Sequence, residues 1–274
     1  MVQFDVKWMY ELITGIYALS IIGYFFDFIQ HNRRVNRVAF WLLTTVWVLQ
    51  TFFLFSRALS SNRFPILSIY DGIYFYTWIL ITFSLIINRL FRVDFFVLFT
   101  NVLGFFFMMM YIFSKSQNQY AAAPIDLVSE MLITHITLAM ISYGFFALSF
   151  IFSCMYLLQY RLLKRKKWTL RLKRLGNLDQ LEKLSFYSIL FGVPTLLIAI
   201  ILGIIWGYSS SELFLWQDTK TVGSFIVLMV YAVILFFRTV RGLKGRKLAN
   251  VNVYAFLFLL VNYFLFSTLS DFHF

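Results

Sequence analysis

Charge is what this sequence has least of. Only 13% of its 274 residues are Asp, Glu, Lys or Arg, while 61% are hydrophobic. Soluble domains carry about 25% charged residues, so this chain cannot be solvated on all sides and belongs in a membrane. Cysteine is almost missing. The one thiol, Cys154, excludes an internal disulfide, a CxxC redox pair and a thiolate zinc cluster. Its place in an apolar run reads as a small packing residue. Of three prolines, only Pro194 falls within an apolar segment, where it is expected to kink a helix. No Gly/Ser linker, low-complexity tract or internal repeat divides the chain, which reads as one domain over 1–274. The start, MVQFDVKWMYELITG, has no basic n-region or small-residue cleavage site, so the first apolar segment is expected to be retained. No nucleophile–base pair, metal-ligand spacing or phosphate loop is found, and no enzymatic activity is expected. Gly242 and Gly245 are too close together to cradle a phosphate and read as a turn.

What is present is long apolar runs. A helix needs about 20 apolar residues to cross the hydrocarbon core. Eight segments qualify: roughly 8–29, 38–58, 69–88, 95–113, 128–160, 185–206, 221–238 and 251–271. Membrane β-strands are about half as long and alternate in polarity, which these do not. The expected fold is therefore all-α, a polytopic membrane bundle of eight transmembrane helices.

Lysine and arginine orient the bundle. Three fall in 30–37, two in 88–94, nine in 161–184 and five between Arg238 and Lys247, leaving only Lys7, Arg57, Arg63, Lys115 and Lys220 for the other face. The positive-inside rule puts the rich face in the cytoplasm and both termini outside. The net charge of +12 is thus explained by inner loops and implies no nucleic-acid partner. The densest of these loops, 161–184, intersperses Leu162, Leu163, Trp168, Leu172 and Leu175 among its charges. It reads as an amphipathic helix, either lying on anionic membrane lipid or docking an acidic soluble partner.

Ionisable groups inside spans are costly and each is a candidate site. Glu11, Asp27, Asp71, Glu130 and His135 qualify by position. Asp27 is placed to pair with Arg33 or Arg34, and Asp71, Glu130 and Glu11 lie near outer ends. His135, in THITLAMISYG, has two readings: a neutral core histidine bonded to a backbone carbonyl, or an axial ligand to haem iron. His31 sits in a basic inner loop and reads as solvated. His273 follows the last span on the outer side. The outer stretch WGYSSSELFLWQDTK, Trp206 to Lys220, holds two tryptophans. They suit either the wet edge of a bilayer or an aromatic platform for a planar ligand. Convergence of His135, His273 and this stretch would supply both axial positions of a haem.

These residues carry a resemblance. NRFPILSIYDGIYFYTW, ITHITLAMISYGFFALSF, the Trp206–Lys220 stretch and FFRTVRGLKGRKLANVNVYAFLFLLVNYF are similar, in order and spacing, to segments of the CcsA/ResC/CcmC-type cytochrome c assembly proteins. Within them the chain resembles the small eight-helix branch found among Gram-positive haem-biosynthesis proteins. The resemblance spans roughly residues 60–274. It places Asp71 in the family's acidic position and gives His135 and His273 the roles of the two external histidines. Those would be the metal ligands, with Trp206, Trp216 and Asp218 completing a site for non-covalent, b-type haem. The family segment reads approximately WGxxWxWDPKExW. Only Trp206, Gly207, Trp216, Asp218 and Lys220 echo it here, which implies haem contact rather than haem attachment to an apocytochrome. The branch implies a regulator that lowers glutamyl-tRNA reductase levels. That enzyme or its degradation machinery would meet the basic segment 161–184.

Overall fold

The computed structural model describes residues 6–61, 69–91, 95–113, 130–166, 176–210 and 219–266. Among them there is no strand. The helices are α1 (Val6–Gln30), α2 (Arg33–Ser61), α3 (Ile69–Leu90), α4 (Phe96–Phe113), α5 (Glu130–Lys164), α6 (Leu178–Ser210), α7 (Thr219–Val240) and α8 (Gly245–Val261). A π-helical turn, Asn262–Phe266, follows α8. Eight helices are long and apolar enough to cross a membrane. Large apolar side chains stand outward, among them Trp8, Phe52 and Met229, as lipid contact allows. Inside such a span every backbone polar group must bond within the segment, which the α-helix alone does for a single strand of chain. Side-chain hydroxyls follow the same rule. Thr14, Thr44, Thr51, Thr77 and Thr195 each donate to the carbonyl four residues earlier.

Several spans run past their apolar limits. α6 begins at Leu178 and α8 at Gly245, about two turns before the expected starts at 185 and 251. At both ends the bonding of Glu182 holds the extra turns. Glu182 takes Arg238 in an ion pair at 2.9 Å and accepts the Gly245 backbone N–H at 2.8 Å. Residues 161–164 continue α5 and 178–184 open α6, while 167–175 lie outside the described residues. The expected turn between α7 and α8 is present, with Gly242 and Gly245 both at positive φ (64° and 67°), a region L side chains avoid. α6 continues through Pro194.

The chain divides into two compact units, Met1–Ala121 and Ala122–Phe274. In the first, α1 turns a row of tyrosines inward, Tyr10, Tyr17 and Tyr24, seven residues apart and all buried. Tyr17 donates to Asn101, which donates in turn to Ser84. Tyr10 packs edge-on against Phe53, Tyr74 and Tyr111. Beside it Arg57 meets Asp71 at 2.9 Å. Asp27, at the other end of α1, accepts from Asn36 at 2.8 Å. Trp47 donates to Thr82 and Trp78 to Thr51, tying α2 to α3 twice.

In the second unit α5 is the hub. Two-thirds of its apolar window is buried (67%), against 22% for α7. Phe146 of α5 stacks on Tyr231 of α7 with ring centroids 3.8 Å apart, and Phe150 stacks on Phe256 of α8 at 4.5 Å. Asn252 of α8, fully buried, reaches the hydroxyls of Ser149, Ser153 and Ser185. Cys154, half-buried, stands beside this knot on α5.

Candidate functional site

α5 and α6 are antiparallel partners with matching sevenfold spacing. His135, Ser142 and Ser149 are seven residues apart on α5, and Ser185, Gly192 and Ala199 are seven apart on α6. The two series pair in register. Ser149 Oγ donates to the Ser185 carbonyl at 2.8 Å, and Ser142 Oγ to the Gly192 carbonyl at 2.8 Å. His135 Nδ1 lies 2.5 Å from the Ala199 carbonyl. Seven residues are two turns, so the rungs stand about 10 Å apart along the helix. A side chain can reach a neighbouring helix's backbone only where small residues let the helices close up, as small-xxx-small contacts do in membranes. Here the small residues are serine, glycine and alanine. A Cβ added at Gly192 would lie 2.6 Å from Phe146 Cε1, so that rung tolerates no side chain on α6.

His135 is the third rung, five residues into α5. A carbonyl oxygen only accepts, so Nδ1 carries a proton, and in the neutral form of such a ring the lone pair is on Nε2. The ring lies against Gly203. A Cβ there would sit 2.6 Å from His135 Cε1 and 2.7 Å from Nδ1. Ala199 thus fixes the ring's hydrogen bond and Gly203 leaves room for its face. A histidine whose Nδ1–H is held by a backbone carbonyl is the usual arrangement of a metal-bound imidazole, since it sets tautomer and orientation. His135 is thus one oriented imidazole of the kind that can serve as a metal ligand through Nε2.

Trp206 is half-buried on α6. Ala199, Gly203 and Trp206 follow one another at helical spacings of four and three, so they share one face. The indole stands about one turn beyond the histidine's seat. His273, Trp216 and Asp218 lie outside the described residues. Glu11 and Glu130 are exposed at helix starts, and His31 is exposed with φ of 56°. Asp27 and Asp71 belong to the first unit.

Residue types alone did not single out Ala199 or Gly203. The usable signal was the run of small residues at every seventh position of α6, matched to the hydroxyls of α5. Arg57 was likewise counted only as an outer charge, although it is the partner of Asp71.

A membrane chain of eight spans with this oriented histidine belongs to the cytochrome c assembly protein family, whose model, described as Cytochrome C assembly protein, matches residues 66–273. It is a multi-pass integral membrane protein. Within the family it is similar to Protein HemX of Bacillus subtilis (strain 168), 48% identical over 94% of both chains. Protein HemX of Brevibacillus brevis is 44% identical over 98% of both. A more distant relative, the cytochrome c biogenesis protein CcsA of Guillardia theta, is 24% identical over 96% of this chain and 93% of its own.

Proposed function

We propose that this protein is a non-enzymatic regulator of haem biosynthesis that lowers the level of glutamyl-tRNA reductase and contacts haem on its outer side. The observation that carries the haem contact is the third rung of the α5–α6 ladder, where His135 is oriented through Nδ1 and seated on Gly203. In this reading His135 Nε2 and His273 are the iron ligands, and Trp206, Trp216 and Asp218 line the macrocycle. The haem is b-type and non-covalent. It supplies an iron that prefers neutral imidazoles, and the chain's part is to hold the first ring in one tautomer. The output surface is the basic segment 161–184, facing glutamyl-tRNA reductase or the machinery that degrades it. Similarity to the two HemX proteins over nearly the whole length supports placing the chain in haem biosynthesis.

The test is genetic and biochemical together. Deleting the gene is expected to raise glutamyl-tRNA reductase protein while leaving covalent c-type haem unchanged. A second reading, a haem-handling or export subunit of cytochrome c maturation, is favoured by the similarity to CcsA. It predicts the reverse: loss of covalent c-type haem with the reductase unaltered. The eroded WGxxWxWDPKExW segment, without its proline, glutamate and last tryptophan, favours the first.

A further inference from the structure

One lipid-facing surface of the second unit forms a groove. α7 and α8 leave an open groove of about 510 Å³ between them, walled wholly by apolar side chains. Val222, Ile226, Met229 and Val233 line it from α7 and Val251 from α8. All five are exposed. They recur on α7 at spacings of three and four, so the groove runs along the helix axis for about three turns, or roughly 16 Å.

The groove leads to the basic end of both helices. Ile234, its last α7 residue, is followed one turn on by Phe237, and the Arg241 guanidinium lies 5.0 Å from that ring. Lys247 stands one turn before Val251 on the same face of α8 and is exposed. Lys244 sits exposed in the turn between the two helices. Among the described residues, no carboxylate pairs with Arg241, Lys244 or Lys247. The nearby acid, Glu182, is taken by Arg238 and the Gly245 N–H. The apolar channel thus runs toward three cations, its last residue on α7, Ile234, standing seven residues, or about 10 Å, before Arg241.

We propose that this groove is a site for an anionic phospholipid of the inner leaflet, its chain along α7 and its phosphate between Arg241, Lys244 and Lys247. Apolar walls alone take any lipid; the cations at one end select a negatively charged headgroup. The leaflet follows from the charge count, which puts the Arg238–Lys247 stretch in the cytoplasm.

Native mass spectrometry of the full chain, released from nanodiscs of equal phosphatidylglycerol and phosphatidylethanolamine with matched acyl chains, tests this. The wild type is expected to retain one phosphatidylglycerol per chain. Arg241→Ala with Lys247→Ala is expected to weaken that retention about thirty-fold, the effect of two lost charges. Met229→Trp, which fills the groove without touching charge, is expected to abolish it, while Arg33→Ala with Arg34→Ala, two exposed cations elsewhere, leaves it unchanged. Equal retention of the two lipids overturns the proposal, as does equal loss in the Arg33/Arg34 variant, which would mean diffuse surface attraction. A dimer that dissociates on Met229→Trp also overturns it, since the groove would then be covered by a second copy.

Discussion

The two units solve the same problem, bonding polar groups inside a membrane, in different ways. The first relies mostly on side chain to side chain: Tyr17 to Asn101 to Ser84, Trp47 to Thr82, Trp78 to Thr51, Arg57 to Asp71, with Ser20 to the Ala39 carbonyl as its own backbone contact. Most of these bridges are long side chains, although α1 and α2 close up at Gly23, where an added Cβ would lie 2.9 Å from that of Ala39. The second keeps a side-chain knot at Asn252 and adds a run of bonds from side chain to backbone. Ser149, Ser142 and His135 each meet a carbonyl of α6, and only small residues permit that. A backbone acceptor does not swing, so the side chain it holds is held in one orientation. His135, the proposed ligand, sits in the unit that adds this second means.

The contrast breaks first in the first unit. Asp71→Ala leaves Arg57 part-buried without that carboxylate, and an uncompensated charge of this kind costs about 3–5 kcal/mol. A detergent unfolding series should show a large loss for Asp71→Ala and a smaller one for Arg57→Met with Asp71→Leu, which removes both charges. Next in size is the histidine's seat. Gly203→Ala places a methyl on the imidazole and forces it from the Ala199 carbonyl. Loss of an orienting partner of a metal-bound histidine weakens the metal about ten- to hundredfold, so haem titration of this variant should show that shift with the unfolding midpoint little changed. The serine rungs come third. Ser142→Ala should cost about 0.6 kcal/mol, the average for interhelical hydrogen bonds in a membrane. Ser149→Ala should cost more, because Ser149 also meets Asn252 and Ser185. At the bottom, Lys183→Ala removes only a fully solvated pair with Asp179, and unfolding should not register it.

The spans were legible because length and apolarity suffice to define them. Their ends were less so. α6 starts two turns early because Glu182, a charge that argues for a loop, is bonded to Arg238 and Gly245, and that partnership cannot be seen from α6 alone. The Gly242–Gly245 turn was readable, since positive φ at both glycines is what a tight turn demands. His135 stood out as a rare ionisable group in an apolar segment. Of its two readings, the structure shows the bond to a backbone carbonyl, through Nδ1, and the ligand role is the proposal made above. The seat itself was hidden. Ala199 and Gly203 are ordinary in a membrane helix, and their sevenfold match to α5 emerges only when the two helices are aligned antiparallel. Asp71 likewise stood out while Arg57 did not, because the partner lies on the preceding helix across residues 62–68. Trp206 shares one face of α6 with Ala199 and Gly203, and Trp216, Asp218 and His273 lie outside the described residues.

Visible absorption of the full-length protein, purified in detergent and reconstituted with haem, tests the proposed ligand most directly. The account predicts a low-spin band in the wild type and in Ser142→Ala, and its loss in His135→Ala. The same low-spin band in His135→Ala would contradict it, since the iron would then be held by something other than the third rung of the ladder.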